Sequence, residues 1–424
     1  MRGIFLLCIV ALPASQAAAQ TPQRDSASIA DSTARADSIA LVRELEAQAQ
    51  SPDTASPDKT RTAGASNPRL LPDISVVGDL IADFSPKGST QEGAQRFGVR
   101  EVEVALQAAV DPYFRGDVFI GFSDDEGAAI EQAYLTTTSL PAQLEARLGR
   151  FLMPVGKQNT AHRHDLHTIE YPYVIQRFFG AEGLTGTGIY ASRVFSPLGF
   201  YQELIATVVD RFGEPLDDAT SAEPPNRKLS GLGYSARLRN YWDLSEATNL
   251  EVSFSAVTGK REQPLSQSFE GVNALNARQS VIGTDVTYRW RPLQQGLYKS
   301  FIAQVELMRQ SNEEPSVPTR FVTSEGDPIA FAGPAGNRNG GYAFARYQLS
   351  RRTFVSGRFD FVDNALPDDK ATRAGSGYFE FFPSEFSKLM AGYERFVPGG
   401  TDKSVNRLIL QATFALGPHK PHPF

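Results

Sequence analysis

The chain has 424 residues, with 42 lysine and arginine residues against 48 aspartate and glutamate residues, and a formal net charge of −6. This mildly acidic balance argues against a nucleic acid partner. The single cysteine, Cys8, lies in an apolar leader, so a disulfide framework or a thiolate metal site is excluded for the mature chain.

The first twenty residues have the features of a signal peptide. Arg2 supplies a basic start, residues 4–12 are apolar, and residues 15–19 are the small residues that signal peptidase prefers. We therefore predict a signal peptide over residues 1–20. No later stretch offers the roughly 18 apolar residues of a membrane helix, so strands must form any membrane-spanning part.

Two further segments precede the main domain. Residues 21–50 are rich in Ala, Glu and Arg and predict a periplasmic helix, but Ser32 and Arg43 interrupt its heptad pattern. A trimeric stalk and a solvated helix both remain open. Residues 51–72 form a Pro/Ser-rich linker that is too polar to pack.

From residue 73 to the end, apolar and polar residues alternate with the period of a β-strand. In one such run Val102, Val104 and Leu106 share one face, whereas Glu101 and Glu103 share the other. Runs of this kind predict strands at residues 73–84, 97–110, 113–123, 129–138, 142–152, 187–195, 199–211, 228–242, 248–259, 279–291, 297–310, 340–350, 353–363, 373–382, 387–397 and 404–416.

The number, length and connections of these strands indicate a membrane barrel. Sixteen is an even number, and ten to fifteen residues cross a bilayer when tilted. Tight turns such as Asp111-Pro112 alternate with long polar links such as 212–227 and 311–339. We predict an all-β, transmembrane antiparallel β-barrel over residues 73–424, in the bacterial outer membrane. Mean hydropathy of −0.28 leaves a soluble exported all-β protein as the alternative.

Aromatic residues provide an independent indication of the membrane. Rings should collect at strand ends, at the level of the membrane interface. The rings beside the predicted short turns are Tyr113, Phe114, Phe195, Phe200, Tyr201, Tyr241, Trp242, Trp290, Tyr298, Phe381, Phe382 and Phe386.

The link at residues 153–185 is longer than two adjacent strands need, and Pro154 and Gly156 allow the chain to turn from the wall. We predict that it folds into the lumen as a pore constriction; an external cap is the alternative. Protonating its histidines near pH 6.5 should then favour anions. Its charged residues are Lys157, Arg163, Arg177, Asp165, Glu170 and Glu182.

The polar faces of the predicted strands supply a pore lining of mixed charge. Such charges either contact solutes or merely pair and hold the wall. The lining residues are Glu101, Glu103, Arg147, Arg237, Arg239, Asp285, Arg289, Glu306, Arg346, Arg358, Asp360 and Arg407.

The motif HRHDLH contains three histidines with metal-binding chemistry. His162, His164 and His167, with Asp165 between them, offer ligands to zinc or copper, although the spacing fits no structural zinc pattern. Ordinary polar loop residues are the alternative. No nucleophile elbow, phosphate loop or HExxH segment occurs, so neither an enzyme nor a cofactor is predicted.

One stretch carries a family resemblance. Residues 130–156 read IEQAYLTTTSLPAQLEARLGRFLMPVG, which resembles phosphate-selective porin O and P type proteins of the outer membrane. The specific likeness spans residues 97–188. The matching positions are Ala133, Tyr134, Leu135, Arg147, Gly149, Phe151 and Pro154.

The resemblance implies a sixteen-stranded porin, usually trimeric, that passes small anions. Residues 153–185 have balanced charge, so phosphate selectivity does not carry over. We expect passive diffusion of small hydrophilic solutes or ions; a non-conducting structural or adhesin barrel and a metal-binding uptake channel are the alternatives. Outer-membrane lipid surrounds such a barrel, and insertion machinery reads its last strand through Phe414 or Phe424.

Overall fold

The computed structural model places part of the chain. The predicted signal peptide and periplasmic helix lie outside the described residues, as do residues 51–71 of the predicted linker and Phe424. Within the described part, no helix is long and apolar enough to cross a membrane. The described residues are 72–85, 96–123, 127–210, 212, 231–269, 272–313, 336–364, 370–399 and 403–417.

Sixteen strands form one closed barrel in which each strand pairs antiparallel with its sequence neighbours and β1 pairs with β16. The sixteen-stranded antiparallel prediction is confirmed. The strands are β1 (Asp73–Asp83), β2 (Phe97–Ala109), β3 (Phe114–Ser123), β4 (Gly127–Thr137), β5 (Leu144–Leu152), β6 (Thr185–Phe195), β7 (Tyr201–Val209), β8 (Gly233–Ser245), β9 (Thr248–Phe269), β10 (Val272–Trp290), β11 (Phe301–Asn312), β12 (Gly336–Ser350), β13 (Thr353–Val362), β14 (Thr372–Ser384), β15 (Ser387–Val397) and β16 (Val405–Leu416).

Strands β9 and β10 differ from the prediction because they extend over most of the predicted link at 260–278. Lys260 pairs with Arg278, and Gln263 with Leu275, so the two strands continue as one long hairpin. This region lacks alternating apolar residues, which were the signal used to predict strands. Its strand conformation comes from cross-strand hydrogen bonds that the sequence pattern does not show.

The wall has an apolar outer face and a polar inner face. Leu148 (61% exposed), Phe254 (54%) and Ile282 (59%) point outwards, whereas Glu306 and Asp360 are fully buried. In a closed barrel the outward row contacts lipid and the inward row lines the lumen. The alternation read from the sequence therefore corresponds to lipid and lumen faces.

Exposed rings lie at the ends of several strands, as the sequence predicted. Tyr113 is 64% exposed and Tyr298 is 54% exposed. Phe382 is an exception, because β14 continues to Ser384 and turns its ring inwards, 5.6 Å from the ring of Phe354. Phe382 is only 3% exposed, so its assignment to the interface is wrong.

Two β-bulges bring additional charged residues into the lumen. In the ladder between β1 and β2, Asp79 lies opposite Glu101, and Leu80 lies opposite Val99, so Arg100 has no residue opposite it. Arg100 and Glu101 therefore both point inwards. The β3–β4 ladder skips Glu131 in the same way. A bulge interrupts the alternation of inward and outward side chains. A charged residue that strict alternation would turn outwards therefore faces the lumen.

Candidate functional site

The link between β5 and β6 lies inside the barrel. Lys157 Nζ is 2.8 Å from the carboxylate of Glu251 on β9, and the backbone N–H of Tyr173 donates to Asp360 on β13 at 3.0 Å. These partners belong to inward faces of distant wall strands. Residues 153–184 therefore lie within the lumen, and we call them the lumen segment.

The lumen segment carries its own apolar core. Its buried side chains pack against apolar side chains on the inner face of the wall. Burying each large side chain contributes roughly 1.5–3 kcal/mol, so this packing stabilises the segment inside the barrel. The main segment residues are Met153, Val155, Leu166, Ile175, Phe178 and Leu184, and the wall residues include Val257, Val281, Met308 and Phe344.

Asn159 joins the two ends of the lumen segment. Its amide nitrogen donates to the carbonyls of Met153 at 2.8 Å and Leu184 at 3.0 Å, and its oxygen accepts from the N–H of Leu184 at 2.7 Å. The side chain is completely buried, so these bonds do not compete with water. The sequence offered no signal for this role.

The segment turns away from the wall at Gly156, which has a φ of +66°. This conformation favours glycine. A Cβ there would also overlap the carboxylate of Glu306. The N–H of Gly156 donates to Ser255 Oγ at 3.2 Å, and its carbonyl accepts from Arg237. The predicted turn away from the wall therefore requires glycine at position 156, since a larger residue would be strained and would clash.

One α-helix, α1 (Tyr173–Phe179), lies in the lumen segment. The Asp360 carboxylate accepts from the first N–H of this helix at 3.0 Å, which satisfies a donor that a helix start leaves unpaired. Arg177, on its last turn, is exposed. The role of Arg177 at a constriction stays a prediction.

Three of the predicted constriction charges pair with each other inside the segment. Arg163 lies 3.6 Å from Glu170 and 2.9 Å from Glu182. Burial by itself would raise the pKa of Glu170, but Arg163 and Arg100 outweigh it, and the pKa lies below its usual value. These residues stabilise the segment and do not face each other across a passage. Asp165 lies 3.7 Å from the ring of His164.

A basic group surrounds Glu251 on one side of the lumen. Its carboxylate lies 2.8 Å from Lys157, 3.3 Å from Arg239 and 3.4 Å from Arg289, and we call these three cations the basic group. Burial lowers the pKa of Lys157, and Glu251 opposes that effect. Three cations share one carboxylate here, although Arg239 also contacts Glu203 at 2.7 Å.

An acidic group lies in another part of the barrel, on the two strands that flank β3. Counted around the barrel, β3 lies six strands from β9, which carries Glu251 at the centre of the basic group. The acidic group consists of Glu101 and Glu103 on β2 and Glu131 on β4. His162 Nδ1 lies 2.7 Å from Glu103 and 3.5 Å from Glu131. Burial would lower the pKa of His162, but these carboxylates outweigh burial and hold the pKa well above its usual value.

The three histidines of the HRHDLH motif do not converge on one point. The rings of His162 and His164 stack with centroids 5.5 Å apart, whereas His167 stacks on Phe344 at 6.3 Å. Burial lowers the pKa of His164. The metal-ligating groups that the described residues form combine one histidine with two glutamates, and neither includes His167.

The predicted lining residues face the lumen, and most of them form ion pairs. Glu306 instead accepts from the hydroxyl of Tyr342 at 2.9 Å. The alternative that lining charges hold the wall together therefore applies to much of the set. The pairs are Arg147 with Glu145, Arg237 with Asp285, Arg239 and Arg289 with Glu251, Arg346 with Glu380, Arg358 with Asp360, and Arg407 with Glu394.

Sequence reasoning missed several residues of the site. Glu251, Glu380 and Glu394 fall on the polar faces of their strands, so the period of two was sufficient to find them. Arg100 and Glu131 stand at bulges, where that period fails.

A cavity of about 900 Å³ lies beside the lumen segment. Charged residues of both signs line it, among them Glu103, Asp117, Arg147 and Arg239. Lys157, which belongs to the lumen segment, also lines the cavity. This space can admit water and small polar solutes.

Comparison with known proteins agrees with this architecture. No family model matches the chain. A protein of Aquifex aeolicus (strain VF5), described as uncharacterized, is 27% identical over 406 aligned residues, covering 84% of this chain and 80% of that protein.

The similar solved structures are outer-membrane barrels. An anion-selective porin from Comamonas acidovorans has a TM-score of 0.53 at 11% identity, covering 81% of this chain and 99% of the porin. Pseudomonas putida OprB also gives 0.53, at 9% identity, covering 81% and 94%. Vibrio cholerae OmpT, in its trimer form, gives 0.50 at 9% identity, covering 82% and 100%. The chain therefore has the barrel fold of Gram-negative outer-membrane porins.

Proposed function

We propose that this chain is an outer-membrane porin that lets small hydrophilic solutes or ions diffuse passively, with the lumen segment as its constriction. The observation that carries the proposal is the charged cavity of about 900 Å³ beside the lumen segment. Diffusion through a barrel needs no catalytic step and no cofactor. Outer-membrane lipid and the diffusing solutes are the proposed partners, and nucleic acid is not one.

The resemblance to phosphate-selective porins O and P supports a porin function for this chain. It does not support phosphate selectivity. Arg147, one of the matching positions, lies over the rings of Tyr134 and Tyr190 at 5.3 and 4.7 Å and pairs with Glu145 at 2.8 Å. The charge of Arg147 is therefore already paired with a carboxylate and is not a free site for phosphate. We propose instead that the basic group and the acidic group together determine ion preference.

Recordings in planar lipid bilayers test the proposed function. The purified full chain should give steady single-channel conductance, because a barrel of this strand number encloses an aqueous channel. The second candidate is a non-conducting structural or adhesin barrel, which the apolar packing of the lumen segment favours. Bilayers that contain folded protein and show no steady conductance would establish that candidate and refute the porin.

Changing the charge of the basic group should change ion preference. Lys157→Gln should reduce the ratio of anion to cation permeability about twofold or more, because one cation is removed from a narrow, partly desolvated passage. Glu251→Gln should raise the ratio, since Lys157, Arg239 and Arg289 lose their shared counter-charge. Reversal potentials in a salt gradient measure both changes.

Lys157→Arg is the matched control for this prediction, because it retains the charge. Its reversal potential should stay close to that of the native channel. Equal reversal potentials in Lys157→Gln and the native protein would mean that ions do not pass the basic group.

We also propose that the barrel assembles as a homotrimer through its walls. The trimer form of Vibrio cholerae OmpT and the apolar outer face of this barrel support the proposal. Cross-linking in mild detergent should give trimers, and only monomers would contradict it. Deleting residues 25–50 tests whether the predicted periplasmic helix contributes.

Insertion into the outer membrane would proceed through the last strand. Phe414, on β16, is 37% exposed on the outward face, where insertion machinery could contact it. Phe414→Ala and truncation before Phe424 separate the two candidate signals.

A further inference from the structure

Five potential metal ligands lie together where the lumen segment meets β2 and β4. The donor atoms of Glu101, Glu103 and His164 all lie within 4.8 Å of one another, and so do those of Glu103, Glu131 and His162. Glu103 belongs to both groups. Two of the five ligands come from the segment and three from the wall.

The ligand set has the chemistry of a transition-metal site. Imidazole nitrogen with carboxylate oxygen suits Zn²⁺ and neighbouring first-row divalent ions. Each group supplies three protein ligands, which is the number that leaves an open position on a tetrahedral ion. Calcium and magnesium prefer all-oxygen sites, so the histidines favour a transition metal.

A second observation points to a cation at this place. Glu103 is only 3% exposed, and its Oε2 has no hydrogen-bond partner. His162 Nδ1 lies 2.7 Å from this oxygen, but the contact lacks the alignment of a hydrogen bond. A buried carboxylate oxygen without a donor is costly, and a bound cation would satisfy it.

The charges around the acidic group are also incompletely balanced. Among the described residues, no lysine or arginine forms an ion pair with Glu101, Glu103 or Glu131, and only Glu103 and Glu131 have an ion-pair contact, which is with His162. Buried charges are normally paired or coordinate metals. A divalent cation would balance much of this charge.

Neighbouring residues hold the ligands in position. The ring of Phe119 packs on His162 with centroids 5.1 Å apart. Lys388 donates to the carbonyl of His164 at 2.6 Å. Such outer contacts orient metal ligands and raise affinity.

An ion can reach these residues from the lumen. Glu103, His162 and His164 all line the cavity of about 900 Å³. The position therefore combines converging ligands, an unsatisfied buried oxygen and access for an ion.

We propose that Glu103 binds a divalent transition-metal ion together with His162 and Glu131 or with His164 and Glu101. The ion joins the lumen segment to the wall and so fixes the segment beside β2. This site goes beyond the proposed porin function, because it binds metal whether or not the barrel conducts.

Metal titration of the full chain tests the site. The protein is purified without a histidine tag, with His419→Ala and His422→Ala to remove the histidines outside the motif, and is stripped with a chelator. Co²⁺ is then added, followed by absorption spectroscopy and calorimetry, and Zn²⁺ should displace it. We expect a saturable Co²⁺ spectrum at a fixed stoichiometry.

Three variants in that background define the ligands. Glu103→Gln should weaken Co²⁺ binding at least about tenfold, since it belongs to both groups, and His162→Ala or His164→Ala should identify the group in use. His167→Ala is the matched control, because it alters the same motif outside both groups. Heat-modifiable gel mobility checks that each variant is folded.

Two outcomes would overturn the proposal. One is the lack of saturable Co²⁺ binding by the folded starting protein, a result that needs no variant. The other is equal loss of binding in His167→Ala and Glu103→Gln, which would indicate adventitious binding to the motif. Conductance is measured separately, so failure of this site leaves the porin proposal standing.

Discussion

Replacing residues 155–182 with a short Gly-Ser turn is expected to increase single-channel conductance severalfold. The N–H of Met153 donates to the carbonyl of Leu184 at 2.9 Å, so β5 and β6 are already adjacent and a short turn can join them. The replacement removes most of the apolar core of the lumen segment. Because conductance follows the open cross-section, planar-bilayer recordings measure the effect.

The control for this replacement shortens the link at 314–335, between β11 and β12, which leaves the lumen segment intact. Its conductance should remain near that of the native channel. If the protein with residues 155–182 replaced and the native protein have equal single-channel conductance, the lumen segment does not limit the flow of ions. Heat-modifiable mobility must show a folded barrel in both proteins.

Arg358→Met is expected to release the lumen segment from β13. Arg358 pairs with Asp360 at 2.7 Å and donates to Thr168 Oγ1 at 2.9 Å and to the carbonyl of Glu170 at 2.6 Å. Removing one partner of a buried ion pair costs about 3–5 kcal/mol, because the other charge is left without its counter-charge. Here the remaining charge, Asp360, also caps helix α1.

Limited proteolysis measures this release. Trypsin should cut Arg358→Met after Lys157, Arg163 or Arg177 at least about tenfold faster than the native protein, since a loss of 1.4 kcal/mol already raises the open population tenfold. Mass spectrometry of the fragments locates the cuts.

Arg346→Met is the matched control. Arg346 forms an equally buried pair with Glu380, with two contacts of 2.8 Å, and lies 3.7 Å from the ring of Phe354. Among the described residues, its polar partners do not include the lumen segment. Cleavage of the segment should therefore stay slow, and equally fast cleavage in both variants would show that general loosening of the barrel is responsible.

Much of the barrel was predictable because its signal is local. A strand that separates lipid from a polar lumen must alternate, and alternation is visible in any window of a few residues. The sequence therefore predicted β15 at its observed bounds, 387–397. It also placed Arg358 and Asp360 on the lumen face, since both share the polar phase of β13.

The predictions became weaker where function depends on residues far apart in the chain. Asn159 joins Met153 to Leu184, and Glu103 approaches His162, but no local pattern relates these positions. The bulge at Arg100 adds a residue against β1, and that mismatch exists only once two strands are paired.

The sequence by itself determined the sixteen strands apart from the extensions of β9 and β10, their lipid and lumen faces, and the long link, because period-two hydropathy and turn chemistry are local properties. Only the tertiary structure decided how the lumen charges are used. Arg163 pairs with Glu170 and Glu182 within the segment, whereas His162 meets glutamates of the wall. Barrel closure and the path of the segment through the lumen set these distances, since they bring together side chains separated by many residues.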